Sequence, residues 1–150
     1  MIKIMFLCHG NICRSPMAEF IMKEITKLEK EKYEISSKAL TFEEIGNDIY
    51  YKAKEILNKY HIPYERRQAD IFTKYDYQYY DYIIIMDDEN KYYIDRIVED
   101  KDNKIYKLLS FMGLSRDVSD PWYTRDFEKA YDDIYKGCNA FYDYLRRKER

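Results

Sequence analysis

Nine consecutive residues, Cys8-His9-Gly10-Asn11-Ile12-Cys13-Arg14-Ser15-Pro16, constrain this chain more than any other stretch. They follow a short apolar run, residues 2–7, which reads as a buried strand bounded by a Gly-Asn turn signal. Ser15 stands where a helix N-cap belongs and Pro16 where a first helical residue belongs, ahead of Met17, Ala18, Phe20, Ile21, Ile25 and Leu28 at helical spacing. Strand, tight loop and helix together make an anion-binding arrangement. The backbone N–H groups of the loop and of the first helical turn converge on one point, with the helix dipole behind them.

The side chains say what that point accepts. A dianion there meets Arg14, whose planar fork binds two phosphoryl oxygens at once, and lies over the sulfur of Cys8. The loop N–H groups, the helix N-terminus and the arginine all favour a thiolate, so the loop activates its own nucleophile. Ser15 is placed to donate its hydroxyl to that sulfur and to ease the sulfur's departure from a phosphocysteine. Asn11 is placed to hydrogen-bond within the loop and tolerates the left-handed backbone that such a turn demands. A cysteine ending a strand is by itself usually a small hydrophobe, but Cys8 does not stand by itself. A Walker-type loop is excluded because no second glycine precedes a Lys and a Ser or Thr. Cys8, His9 and Cys13 lack further ligands at zinc-finger spacing, so no metal site is expected.

The block resembles the signature of the low-molecular-weight protein tyrosine phosphatases: Cys, five residues, Arg, Ser, with Gly-Asn-Ile-Cys in the middle and Pro after the Ser. The resemblance implies that Cys8 is the nucleophile and Arg14 the phosphoryl binder, with Asn11 and Ser15 organising a substrate-binding loop that also contains His9, Gly10, Ile12 and Cys13. It also implies that Cys13 can form a reversible disulfide with Cys8 on oxidation.

Along the chain, helical spacing over residues 15–30 is followed by a strand over 33–40, a loop over 41–47, and a helix that Asp48 would cap and Pro63 would end. Residues 82–86, with Ile83, Ile84 and Ile85 together, read as a strand covered on both faces. Asp87 to Asn90 offer N-caps for a helix through Ile94, Ile97 and Val98. Residues 104–109 form a fourth strand, and 126–147 a long amphipathic helix on Phe127, Ala130, Tyr131, Ile134, Cys138, Phe141 and Leu145. Tyr75, Tyr77, Tyr79, Tyr80 and Tyr82 read as half-buried aromatic cover. Alternating strands and helices imply an α/β fold: one doubly wound sheet of four parallel strands, order 2-1-3-4, with helices on both faces, in a single domain over residues 1–150. Ligands bind at the carboxyl ends of strands in such folds. The loops at 40–47, 87–90 and 110–125 should therefore share an edge with the Cys8 loop.

The last of these contains Asp120-Pro121-Trp122-Tyr123. A phenolate leaves poorly unless protonated, so cleaving an aryl phosphate needs an acid near the ester oxygen, and the same carboxylate then activates water. The family resemblance extends here, because its general acid lies in Asp-Pro followed by aromatics; Asp120 matches it, and Trp122 and Tyr123 stand as flat walls for a phenyl ring. The 40–47 loop resembles the family's recognition loop, with Phe42 as the candidate pocket aromatic. One departure is Tyr64, where the family often has a histidine three residues before the arginine of an Arg-Gln pair, here Arg67-Gln68.

Charged residues are 36% and apolar ones 46% of the chain, with a formal net charge of −2. That balance argues against a nucleic-acid partner, and the N-terminal apolar run is too short for a signal peptide or membrane span. Three cysteines, two of them in one loop, suit a reducing cytoplasm better than a disulfide framework. The expectation is a cytoplasmic monomer without cofactor that hydrolyses phosphotyrosine in proteins or peptides and holds inorganic phosphate or another oxyanion in its loop. Two alternatives share the fold. An arsenate reductase needs a further relay cysteine, and Cys138 falls on the apolar stripe of the last helix. A protein arginine phosphatase tends to carry Thr where Ile12 stands.

Overall fold

The computed structural model describes residues 1–148. Its sheet has four parallel strands in the order β2-β1-β3-β4: β1 Ile2–Cys8, β2 Tyr33–Ala39, β3 Tyr82–Ile85 and β4 Ile105–Lys107. Register runs from Ile2 opposite Tyr33 to Cys8 opposite Ala39, and Ile4 to Phe6 face Tyr82 to Ile84 on the other side. The expected topology is therefore the observed one. Central strands buried on both faces explain the unbroken apolar runs. Ile4, Phe6 and Ile84 join the core beneath α1 (Arg14–Ile25) and α6 (Phe127–Lys148), whereas Met5, Leu7, Ile83 and Ile85 join Phe72, Tyr77 and Ile94 on the opposite side. Each such side chain contributes roughly 1.5–3 kcal/mol on burial. Close packing of α6 depends on Gly137, where a Cβ would lie 2.7 Å from Cγ of the buried Leu108.

Several local expectations are corrected. α1 begins at Arg14 rather than after a Ser15 cap, and no side chain caps it, because the Ser15 hydroxyl is engaged by Cys8 and Asn11. It ends at Ile25 and gives way to a 3-10 segment, Lys27–Lys32, which leaves Leu28 91% exposed although it falls in helical register. α2 spans Tyr51–Lys59; Asp48 does not cap it but accepts from the N–H groups of Ile49 and Arg67 and pairs with Lys54. The tyrosine-rich stretch holds a short helix, α3 Lys74–Tyr79, opened by a capping box between Thr73 and Asp76. α4 spans Asp88–Asp95, capped by Asp87 as expected, with Ile97 and Val98 beyond it. β4 is shorter than expected and runs into a 3-10 segment, Leu108–Met112. A single helical turn, α5 Pro121–Thr124, begins after Asp120. Among the described residues no helix is long and apolar enough to cross a membrane.

Candidate active site

β1 ends at Cys8, and the chain turns through Asn11 at φ 60 before entering α1. The turn is pinned from outside through its carbonyls. That of His9 accepts from the N–H and the hydroxyl of Thr41 at 3.1 and 3.0 Å, that of Ile12 from the N–H of Tyr50 at 2.9 Å, and that of Asn11 from the Arg67 guanidinium. The N–H groups of Gly10, Asn11, Ile12, Cys13 and Arg14 donate to no acceptor among the described residues. Buried N–H groups are otherwise almost always paired, so a ring of five unused donors beside a helix N-terminus is an oxyanion cradle.

At the floor lies Cys8, 3% exposed. Its Sγ is 3.1 Å from Ser15 Oγ and 3.3 Å from the Ser15 N–H. The Asn11 amide donates to the same Ser15 oxygen at 2.8 Å and to Ser37 Oγ at 3.0 Å. Ser15's own hydrogen is thereby left free to donate to sulfur. Behind these, Ser37 donates to Glu19, whose other oxygen pairs with Lys23. Burial pushes the Cys13 thiol far above its ordinary value, with the Cys8 charge adding to the effect, and burial does the same for Cys138. All three thiols are free.

Arg14, 2% exposed, donates to Asp87 Oδ2 at 2.6 Å and to the Val118 carbonyl at 2.8 Å, and its second terminal nitrogen lies 3.5 Å from Asp120 Oδ2. Burial alone would push the guanidinium down, but Cys8, Asp87 and Asp120 around it reverse that and leave it raised. Asp87 Oδ1 meanwhile caps α4 through the Asn90 N–H at 2.6 Å. One carboxylate thus fixes both the arginine and the next helix. Asp120 Oδ1 accepts from the Trp122 N–H at 2.9 Å, leaving Oδ2 toward the cleft and Arg14.

The residues expected to bind substrate divide into three groups. Cys8, His9, Gly10, Ile12, Cys13 and Arg14 line one cleft of about 100 Å³, closed on its other side by Asp120, Trp122 and Tyr123. Asn11 and Ser15 are fully buried behind it and bond to Cys8, to each other and to Ser37 rather than lining the cleft. Phe42 is not in the wall: it is 76% exposed, and Glu43 and Glu44 line the cleft instead. The reason is local. Glu43 binds His9 Nε2 at 2.6 Å, Glu44 binds Asn47 at 2.7 Å, and the Glu44 side chain packs on Gly10, so the turn presents its acids inward. Sequence reasoning missed Arg67 and the Asp87 contact to Arg14. The available signal for Asp87 was its place after β3, which adjoins β1.

A thiol, an arginine and a carboxylate stand around unused loop N–H groups at the carboxyl edge of a parallel sheet, an arrangement suited to cysteine-based phosphoryl chemistry. Residues 3–150 match the family model described as low molecular weight phosphotyrosine protein phosphatase, and the chain belongs to that family. It is 35% identical over 147 residues to the low molecular weight protein-tyrosine-phosphatase PtpA of Staphylococcus epidermidis, covering 97% of this chain and 94% of that protein. The crystal structure of SP-PTP, a low molecular weight protein tyrosine phosphatase from Streptococcus pyogenes, superposes with a TM-score of 0.85 at 40% identity, over 98% of this chain and 93% of that one. That of YfkJ from Bacillus subtilis does so with a TM-score of 0.95 at 33% identity, over 100% and 98%.

Proposed function

We propose that this chain, acting as one domain, hydrolyses phosphotyrosine in proteins or peptides through a phosphocysteine intermediate. The observation that carries the reading is the meeting, in one cleft, of the Cys8 sulfur, the unused N–H groups of residues 10–14, Arg14 and Asp120. Cys8 thiolate attacks phosphorus in line as the P–O(aryl) bond breaks, and Asp120, protonated, gives its proton to the departing phenolate. The loop N–H groups and Arg14 hold the equatorial oxygens while charge shifts among them. Water then attacks the phosphocysteine, Asp120 takes a proton from it, and the sulfur leaves as a thiolate stabilised by Ser15. Burial of Cys13 and Cys138 as neutral thiols leaves Cys8 as the sulfur suited to the role. Ile12 and Trp122 in the wall favour an aryl group over a guanidine.

The test is the initial rate on p-nitrophenyl phosphate and on a phosphotyrosine peptide, in reductant and chelator, for the natural protein and Cys8→Ser. Turnover that survives the chelator and vanishes in the variant is expected. Turnover of phosphoarginine in place of both substrates would overturn the tyrosine assignment.

A further inference from the structure

The turn that carries Asp120 has few ties to the rest of the molecule. Within residues 120–125 the backbone hydrogen bonds are internal: Tyr123 and Thr124 to the Asp120 carbonyl, Arg125 to that of Pro121, and Trp122 to the Asp120 side chain. Among the described residues no hydrogen bond from this turn reaches another element. Outside it, the turn meets Arg14 at 3.5 Å through Asp120, buries Pro121, and sets the Trp122 ring against Tyr50 with centroids 4.8 Å apart and planes at 64°.

Tyr50 is itself anchored elsewhere, its ring also meeting that of Tyr51 with centroids 4.9 Å apart. Its backbone N–H donates to the Ile12 carbonyl in the phosphate loop at 2.9 Å, and its ring stacks on Phe127, at the start of α6, with centroids 6.0 Å apart and planes at 26°. One residue thus touches the loop that would hold the phosphoryl group, the turn that holds the acid, and the helix that follows the turn. Edge-to-face aromatic pairs have a preferred geometry, so the contact fixes orientation as well as distance. Arg125, at left-handed φ 63, lies over the Trp122 ring, 5.6 Å from its centroid.

We infer that Tyr50 is a positioning residue for Asp120: through Trp122 it holds the acid turn in register with the phosphate loop. The inference rests on the reading of Asp120 as the proton donor. Removing the ring should let the turn drift, and a displacement near 1 Å costs on the order of a hundred-fold in a positioned reaction. The loss should fall on proton donation and leave oxyanion binding alone, because Tyr50 holds the loop through its backbone and not its side chain.

The experiment compares natural protein, Tyr50→Leu and Tyr50→Phe. The value of kcat/KM is measured on phenyl phosphate, whose leaving group needs the proton, and on p-nitrophenyl phosphate, whose leaving group needs it far less. For Tyr50→Leu a loss of about ten-fold or more is expected on the first and of about three-fold or less on the second. The inhibition constant for inorganic phosphate should stay unchanged, and Tyr50→Phe should restore both rates. Trp122 is the only tryptophan in the chain, so its fluorescence reports the contact independently of turnover. Tyr50→Leu should raise quenching by acrylamide, and Tyr50→Phe should not. Equal losses on the two substrates, weakened phosphate inhibition or unchanged rates would each overturn the inference. If the natural protein turns over neither substrate, the phosphatase reading fails instead, and unaltered tryptophan quenching in Tyr50→Leu would still reject the brace.

Discussion

On the proposed mechanism Asp120 has two separable roles, one on each carboxylate oxygen. Oδ1 caps the α5 turn through the Trp122 N–H at 2.9 Å, while Oδ2 faces the cleft, 3.5 Å from Arg14. Asp120→Asn keeps an amide oxygen for the cap and removes the titratable proton; Asp120→Ala removes both. Loss of a general acid costs about 10²- to 10⁴-fold, which is roughly 2.7–5.5 kcal/mol on the barrier. Loss of an N-cap costs about 1 kcal/mol, a fall of roughly 3 °C in Tm for a chain of this size. Both variants should therefore lose at least about a hundred-fold in kcat/KM on phenyl phosphate, with smaller losses on p-nitrophenyl phosphate. Only Asp120→Ala should melt earlier by scanning calorimetry. An Asn variant that keeps more than about a tenth of the natural kcat/KM on phenyl phosphate would refute proton donation by this carboxyl.

Three further outcomes follow from the geometry. Ser15→Ala removes the hydroxyl 3.1 Å from the sulfur; a hydrogen bond to a charged group is worth about 1.5–3 kcal/mol, or roughly a 10- to 150-fold fall in kcat, seen in rapid-quench experiments as a burst followed by slowed turnover. Gly137→Ala would set a methyl 2.7 Å from buried Leu108 Cγ, and overpacking of about 1–3 kcal/mol, partly offset by about 1 kcal/mol of helix propensity, should lower Tm by a few degrees. Arg116 donates to both oxygens of Asp133 at 2.9 Å, and that bond, against the opposing effect of burial, holds the Asp133 carboxyl below its ordinary 3.8. A depressed carboxyl contributes stability above its unfolded value and loses it as pH falls through the folded one, so Arg116→Gln should lower Tm at neutral pH by an amount that shrinks as pH falls below the ordinary carboxylate range.

The parts of the fold legible in the sequence were those where one local pattern met no competitor. The apolar runs at Ile4 to Leu7 and Ile83 to Ile85 are buried on both faces of the sheet, so their composition alone announces them. Ser15 misled because its hydroxyl has two claimants, a helix N-terminus and the Cys8 sulfur, and the sulfur wins by direct contact. Asp48 misled similarly: α2 starts only at Tyr51, and the Asp48 carboxylate is taken by the N–H groups of Ile49 and Arg67 and by the Lys54 ammonium. The Thr73-to-Asp76 capping box was readable, but the aromatic alternation around it looks like strand cover. In the site, Cys8, Arg14 and Asp120 meet in one cleft as their chemistry suggested, whereas Phe42, placed by the loop's resemblance to a recognition loop, stays outside it because the turn's hydrogen bonds bring Glu43 and Glu44 to the lining. Long-range partners such as Arg67 on Asn11, or Tyr50 on Trp122, have no local signature; they follow from loop geometry that only the assembled sheet edge fixes.

The central claim is covalent catalysis by one sulfur, and the measurement that reaches it most directly is acid-quench trapping with ³²P-labelled phosphotyrosine peptide, followed by peptide mapping. The account predicts label on Cys8 of the natural protein within the first turnover and none in Cys8→Ser, which should still be protected from thermal unfolding by inorganic phosphate. Label on another residue, or steady turnover by Cys8→Ser, would contradict it.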